Sequence, residues 1–421
     1  MSNAERCSVV EFAKNAEPTK GKEDSQMKVR AGWKAGTLQD VICSVRGGFS
    51  VRCEDRAAAT GELGVLKTGA VLVGKFDPKK NKYVSPEEHA RLRTPVSANT
   101  IIICRKNSAE SIGASALVDR DYRHLFLSDL LWELKPSKDA DCHWLANVLK
   151  SDFVLSILRL WSTGTQSTMK NISQDRLLAI PISIPKKNEQ QKIVAILRTW
   201  DEAIENLLRL TELRKTQYLG LRDYLIDWSK NQRAVKEFLK PVSRPVRKPT
   251  SGYRALSIRS HGKGTFDRYV EDPECIEMDT LYVVKSGDVI VNITFAWEGA
   301  VALVPRDHDG CLVSHRFPTF VPKMERVDAR YLRHALRMAR FTYLLGIVSP
   351  GGAGRNRVLS KSDFLDLMVP LPPLDQQRRI AMILDDAEDA ISVEEKYLSA
   401  LKRQKRGLMQ KLLTGEWRVK C

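Results

Sequence analysis

Asp121, Glu133 and Lys135 come nearest, in type and spacing, to a reaction centre. An aspartate followed about a dozen positions later by Glu-Leu-Lys has the shape of a metal-dependent nuclease site, with carboxylates holding Mg²⁺ and an ammonium beside them. The same residues also read as the polar end of a strand before Pro136. Other catalytic signatures are missing. No GxGxxG opens a βαβ unit and no Walker A motif occurs. The Asn/Asp-Pro-Pro-aromatic signature of amino-methyltransferases and a DEAD-type helicase box are absent too.

Polar loops offer a different chemistry. SPGGAGRNR places Arg355, Asn356 and Arg357 behind glycines that let a backbone approach a phosphate closely. Arginine and asparagine are also the side chains that pair bidentately with guanine and adenine edges. STGTQSTMK offers Thr165, Gln166, Ser167 and Lys170. Arg105-Lys106, His261 with Lys263, and His315-Arg316 sit inside or just after strand-like runs. Each of these groups reads either as a DNA contact or as solvated surface charge.

Composition narrows the partner. The chain has 421 residues, 43% of them hydrophobic, and a net charge of +17. That is enough apolar content for two ordinary domains, and the charge points to a polyanionic partner, with a membrane surface the weaker option. No apolar run reaches the length of a membrane span, and no secretory leader opens the chain. The eight cysteines are scattered without a CxxC pair, which speaks against a disulfide framework or a zinc site and for a reducing cytoplasm.

Two long helices must position these loops. Ile380, Leu384, Ala387, Ile391, Glu394, Leu398, Leu401, Lys405, Leu408 and Leu412 follow an alternating four–three spacing, the seam of a helix packed along its length. About 187 positions earlier, Ile193, Leu197, Trp200, Ile204, Leu207, Thr211, Arg214, Tyr218, Leu221 and Leu225 fall on the same seam. Asn188 and Asp375 are placed as N-caps, Gly415 as a stop. A flush antiparallel pairing sets Trp200 opposite Lys405 and Thr211 opposite Glu394, with Arg214 one layer away. Lys405 would then lie over an indole face, and Glu394 would meet a hydroxyl and a guanidinium.

The repeat extends into the segments before each helix. Ile101-Ile102-Ile103 matches Val289-Ile290-Val291, Gly113-Ala114 matches Gly299-Ala300, and Trp144-Leu145 matches Tyr331-Leu332. Strand-like runs precede one helix each, expected near 143–160 and 329–345. At the repeat position of Glu133-Leu134-Lys135 stands Thr319-Phe320-Val321, which could not hold Mg²⁺. The organisation reads as a tail to residue 28, a domain over 29–187, a long helix over 188–230, a second domain over 231–374 and a second long helix over 375–421.

The runs MKNISQDRLLAIPISIPKKNEQQKIVAIL and VLSKSDFLDLMVPLPPLDQQRRIAMIL, with the closing KLLTGEW, resemble the conserved regions of type I restriction–modification specificity subunits. The first helix departs from that pattern, ending in DWSKNQ instead of a Leu-Leu-Thr-Gly stop. The resemblance implies a mixed α/β fold with two tandem target-recognition domains, separated by two long helices that pair as an antiparallel coiled coil about a pseudo-two-fold axis. It implies a cytoplasmic subunit, without catalysis of its own, that reads a bipartite site on double-stranded DNA. Two methyltransferase subunits would dock on the helices and neighbouring surfaces, and restriction–translocation subunits would join them. S-adenosylmethionine, ATP and Mg²⁺ would then belong to those partners, with adenine N6 methylation as the modification and no cofactor on this chain. The alternatives are a DNA-binding regulator or scaffold that recruits no enzyme, and a nuclease using Asp121, Glu133 and Lys135.

Overall fold

The structure, a computed structural model, describes residues 32–164, 169–351 and 357–420. It divides into two compact units. One runs to Asn206 and resumes at Leu398; the other is Leu207–Tyr397. The N-terminal tail, Thr165, Gln166, Ser167, Arg355 and Asn356 lie outside the described residues.

The first unit holds a four-stranded sheet in the order Ser115–Leu117, Ile101–Cys104, Leu131–Pro136, Ile42–Gly47, all antiparallel. Packed on it is a five-stranded sheet in which Gly64–Leu66 and Tyr122–Phe126 run parallel. The second unit repeats both. Its four-stranded sheet is ordered Val301–Leu303, Val289–Val291, Thr319–Pro322, Leu239–Val242, and its five-stranded sheet again has one parallel pair, Tyr253–Ile258 with Leu312–Val313. Burial on both faces explains the unbroken apolar runs IIIC and VIV. Ile101 and Ile103 enter the core shared with the helices, while Ile102 and Cys104 enter the core between the sheets. Val289, Val291 and Ile290 divide in the same way. His315 and Arg316, read as inside or just after a strand-like run, precede the strand Thr319–Pro322.

The helix expected near 143–160 is two helices, Cys142–Leu149 and Asp152–Trp161, and the one near 329–345 is likewise Ala329–Leu336 and Ala339–Ile347. Ser151 accounts for the break in the first pair: its hydroxyl accepts from Val154 N at 3.3 Å and starts a new helix. Met338 occupies the same place in the second unit, without a side-chain cap.

The spacer helices are Lys187–Leu225 and Leu374–Leu413. Each begins one residue before the expected cap, so Asn188 and Asp375 sit in the first turn. Gly415, at φ +71°, closes the second helix in a left-handed conformation. Within each unit the helices pair antiparallel. In the first unit, Asp201 pairs with Lys405, and Arg418, just past the end of the second helix, pairs with Glu189 (2.7 Å). In the second, Arg214 pairs with Glu394 (2.8 Å) and Lys215 with Glu395 (3.0 Å). Lys405 thus takes the carboxylate next to Trp200 in place of the expected indole face, since a partly buried ammonium gains more from a charge than from a ring. Glu394 meets the expected guanidinium but not the Thr211 hydroxyl, which donates to Leu207 O on its own helix.

One buried side chain per unit ties spacer helix to domain. Gln190 Oε1 accepts from Asp141 N (2.7 Å), while its amide donates to Pro185 O (3.0 Å) and Asp139 O (3.2 Å). Gln377 repeats this with Asp328 N (2.9 Å), Pro372 O (2.8 Å) and Arg326 O (3.0 Å). Asp141 and Asp328 in turn cap the first domain helices. Replacing either glutamine with alanine strands a buried donor and two acceptors. The expected loss is about 3 kcal/mol of the stability of that unit, read as a lowered urea midpoint in the full chain. Asn188→Ala, in the solvated first turn, should move the midpoint by less than about 0.5 kcal/mol.

Candidate nucleic-acid interface

A two-stranded ribbon that continues from the inner strand Ile101–Cys104 gathers three basic residues of the first unit. Lys106–Asn107 runs antiparallel to Lys170–Asn171, with Lys106 opposite Asn171 and Asn107 opposite Lys170. Arg105 N donates to Leu130 O (3.0 Å), and Arg105 O accepts from Ile172 N (2.9 Å). Its guanidinium lies 5.2 Å from the Trp132 ring. Arg105, Lys106 and Lys170 therefore share one ribbon, although the sequence separates them widely. Lys170 Nζ donates to Gly164 O (3.2 Å), tethering the loop that leads to Thr165.

The same backbone frame recurs in the second unit. Ile293 N donates to Arg316 O (3.1 Å), and Ile293 O accepts from Leu359 N (3.0 Å). Arg357 stacks over Trp297, 5.4 Å from the ring centroid, and the indole NH of Trp297 donates to Thr294 O (3.2 Å). A guanidinium held near an aromatic ring keeps its planar fork of donors, the geometry that suits a bidentate partner. His261, in a left-handed backbone conformation at φ +62°, donates its backbone NH to Glu298 O (2.7 Å) and borders the same turn. Arg316, Arg357 and His261 thus surround residues 293–299. His315 lines a separate small cavity with Arg244, Tyr282 and Lys361. Lys263 lines another, beside Arg333 and Arg337.

Trp297, half-exposed Phe295 and Lys361 escaped the sequence reading. The signal for the first two was an aromatic pair bracketed by a tight turn ending in Gly299, at φ +76°. Lys361 follows the Ser360 cap directly, which could have marked it.

The nuclease pattern does not assemble. Glu133 is 1% exposed and pairs with Arg46 through Nε (2.9 Å) and Nη2 (2.5 Å). Asp121 instead accepts from Ala98 N (2.8 Å). Among the described residues, one group has metal-ligand types within reach of each other: His334, Asp385 and Glu388. Arg333 already pairs with Asp385 (2.7 Å) and Glu388 (2.8 Å), and Arg337 with Glu388 (2.5 Å), so the carboxylates are neutralised without an ion. Burial holds the pKa of His334 below the ordinary histidine value. The neutral ring donates from Nε2 to Asp385 (2.8 Å) and accepts at Nδ1 from the Tyr218 hydroxyl (2.9 Å). This is an interhelical clamp.

Comparison with known proteins identifies the family. The family model for the type I restriction modification DNA specificity domain matches residues 31–215 and 273–403. A Methanocaldococcus jannaschii protein assigned as the specificity subunit of the type I restriction enzyme MjaX is 22% identical over 440 aligned positions, covering 95% of this chain and 98% of that protein. The EcoEI specificity subunit of Escherichia coli is 24% identical over 51% of this chain and 36% of its own length. The fold matches the crystal structure of a type I restriction–modification S subunit from M. genitalium with a TM-score of 0.52 and 16% identity, over 94% of this chain and 98% of that one. A chain from a structural study of type I restriction–modification assembly superposes with a TM-score of 0.59 and 18% identity, over 93% of this chain and all of that one. Among the described residues, no helix is long and apolar enough to cross a membrane. With the family model covering most of its length, in both halves of the repeat, the chain belongs to the type I restriction–modification specificity subunits.

Proposed function

We propose that each unit reads one half of a bipartite double-stranded DNA site through the repeated frame that carries Arg105, Lys106 and Lys170 in the first unit and Arg316 and Arg357 in the second. The observation carrying this reading is the shared backbone frame, in which Arg105 and Ile293 make the same two hydrogen bonds. Two copies of one scaffold with different side chains are what a split target requires. Thr165, Gln166, Ser167, Arg355 and Asn356, which lie outside the described residues, take the same role in this reading, with His261 beside the second turn and His315 and Lys263 lining cavities of their own.

The partners are two methyltransferase subunits docked along the spacer helices, with restriction–translocation subunits added to them, in the cytoplasm. Leu210, Leu213 and Tyr224 on the first helix and Ile383, Val393 and Tyr397 on the second are exposed at four–three spacings or multiples of them, away from the buried seam. A helix with a second apolar stripe suits a further helical partner. S-adenosylmethionine, ATP and Mg²⁺ act on those partners, and adenine N6 is the modified atom.

The test separates positioning from reading. Replacing Lys106 and Lys170 with alanine should weaken binding on all sequences and flatten the dependence of log K on log salt by about 0.9 for each phosphate no longer neutralised. Arg357→Ala should leave that slope alone and relax discrimination at one base pair by about 1–3 kcal/mol. If both variants bind and discriminate like the parent chain, the frame is not the reading surface. A DNA-binding protein that retains no methyltransferase in pull-down would instead be a regulator.

A further inference from the structure

Each unit carries a cleft at the same place in the repeat, between an edge strand, the first domain helix and a spacer helix. Val301–Leu303, Arg333, Arg337 and Glu388 line it in the second unit. Their counterparts Ser115–Leu117, Ala146, Lys150 and Asp201 line it in the first, around a volume of about 200 Å³. The walls correspond, but the charges on them do not. In the second unit both cations are answered: Arg333 pairs with Asp385 and Glu388, and Arg337 with Glu388. In the first, Arg198 stands at the position of Asp385 and turns to Glu202 (3.0 Å), while Lys405 takes Asp201. Lys150, the counterpart of Arg337, is partly buried and has no hydrogen-bond or ion-pair partner among the described residues. Burial and the Lys405 ammonium hold its pKa below the ordinary lysine value, against the pull of Asp201.

Two further groups on the walls of this cleft lack partners. The Ser115 side chain is 2% exposed, and its hydroxyl is unbonded. Asn147 is 7% exposed; its amide donates to His143 O (2.8 Å), which leaves the carbonyl Oδ1 buried and unpaired. In the second unit Val301 and His334 hold these places, and His334 is bonded at both ring nitrogens. Buried polar groups are ordinarily satisfied, so three unanswered ones around a single cavity point to a ligand. Their chemistry selects it. The ammonium and the hydroxyl donate, whereas the amide carbonyl only accepts. An oxyanion that keeps a proton satisfies all three. Inorganic phosphate is such a species across the neutral range, whereas a carboxylate, a sulfate or a DNA phosphodiester has no proton to give Asn147. We propose that the first-unit cleft binds inorganic phosphate, its oxygens accepting from Lys150 Nζ and Ser115 Oγ and its remaining hydroxyl donating to Asn147 Oδ1.

The experiment is calorimetric titration of the full chain with inorganic phosphate, and with sulfate at matched ionic strength. The parent should bind phosphate at a single site and sulfate about tenfold more weakly or worse, the cost of leaving one buried acceptor unmet. Lys150→Met keeps the apolar stem and removes the charge, so phosphate binding should fall about tenfold or more. Ser115→Ala should weaken it about fivefold, and serves if the lysine variant fails to fold. Asn147→Leu gives the readout that a merely structural role would not move: the preference for phosphate over sulfate should collapse. No phosphate binding by the parent, equal binding of the two anions, or unchanged binding in the Lys150 and Ser115 variants would overturn the site.

Discussion

Exchanging residues 29–185 for the matching domain of a relative rewrites one half of the DNA target and leaves the other half as it was. Base contacts in this reading arise within each unit, from Arg105, Lys106 and Lys170 on one ribbon and from Arg316 and Arg357 around another turn. Each mismatched base pair costs ~1–3 kcal/mol, so a half-site replaced at several positions lowers affinity for the original full site by roughly a thousandfold or more. The exchanged domain must still seat Met409, Leu412 and Leu413 of the second spacer helix, which complete its core. Mapping methylated adenines in cells carrying the hybrid measures the outcome. A change in both halves would mean one joint reading surface, and the split-target reading would be lost.

The second large effect concerns length. Adding one heptad to each spacer helix at matched seam positions keeps the apolar spacing in phase and lengthens each helix by ~10 Å. If the helices set the separation of the half-sites, the preferred gap grows by about three base pairs, and the original spacing is rejected. The added twist between half-sites weakens binding as well, so the gap preferred in a selection from randomised spacers is the quantity to measure. An unchanged gap would show that the helices are not the ruler. Arg214 with Glu394, and Asp201 with Lys405, should keep the register unique, because sliding either helix strands a partly buried charge.

The spacer helices were the most legible part of the sequence, because a period sustained over about forty residues has few explanations. The sheets were far less so. Many strands are two to four residues long, too short for alternation to register, and the pairing of Gly64–Leu66 with Tyr122–Phe126 skips over much of the chain. The helix break at Ser151 was hidden by the continuous apolar pattern around it, although a serine before an aspartate is a restart signal. For the candidate interface, side-chain type nominated Arg105, Lys106 and Lys170, but only strand pairing places them together. Glu133 misled for the opposite reason: its spacing suggested chemistry, and burial against Arg46 absorbs it.

The first unit needs the far end of the chain. Trp33 donates its indole NH to Glu189 (2.9 Å), and Arg418 holds the same buried carboxylate. The unit Leu207–Tyr397 is contiguous, whereas its neighbour lacks residues from Leu398 onward until they are made. On the ribosome, the order of completion is therefore reversed. The domain that emerges first waits, with Ile193 and Leu197 lacking their seam partners, while the later one closes. A nascent chain stalled after Tyr397 would carry one finished reading head and one open core, a natural client for chaperones.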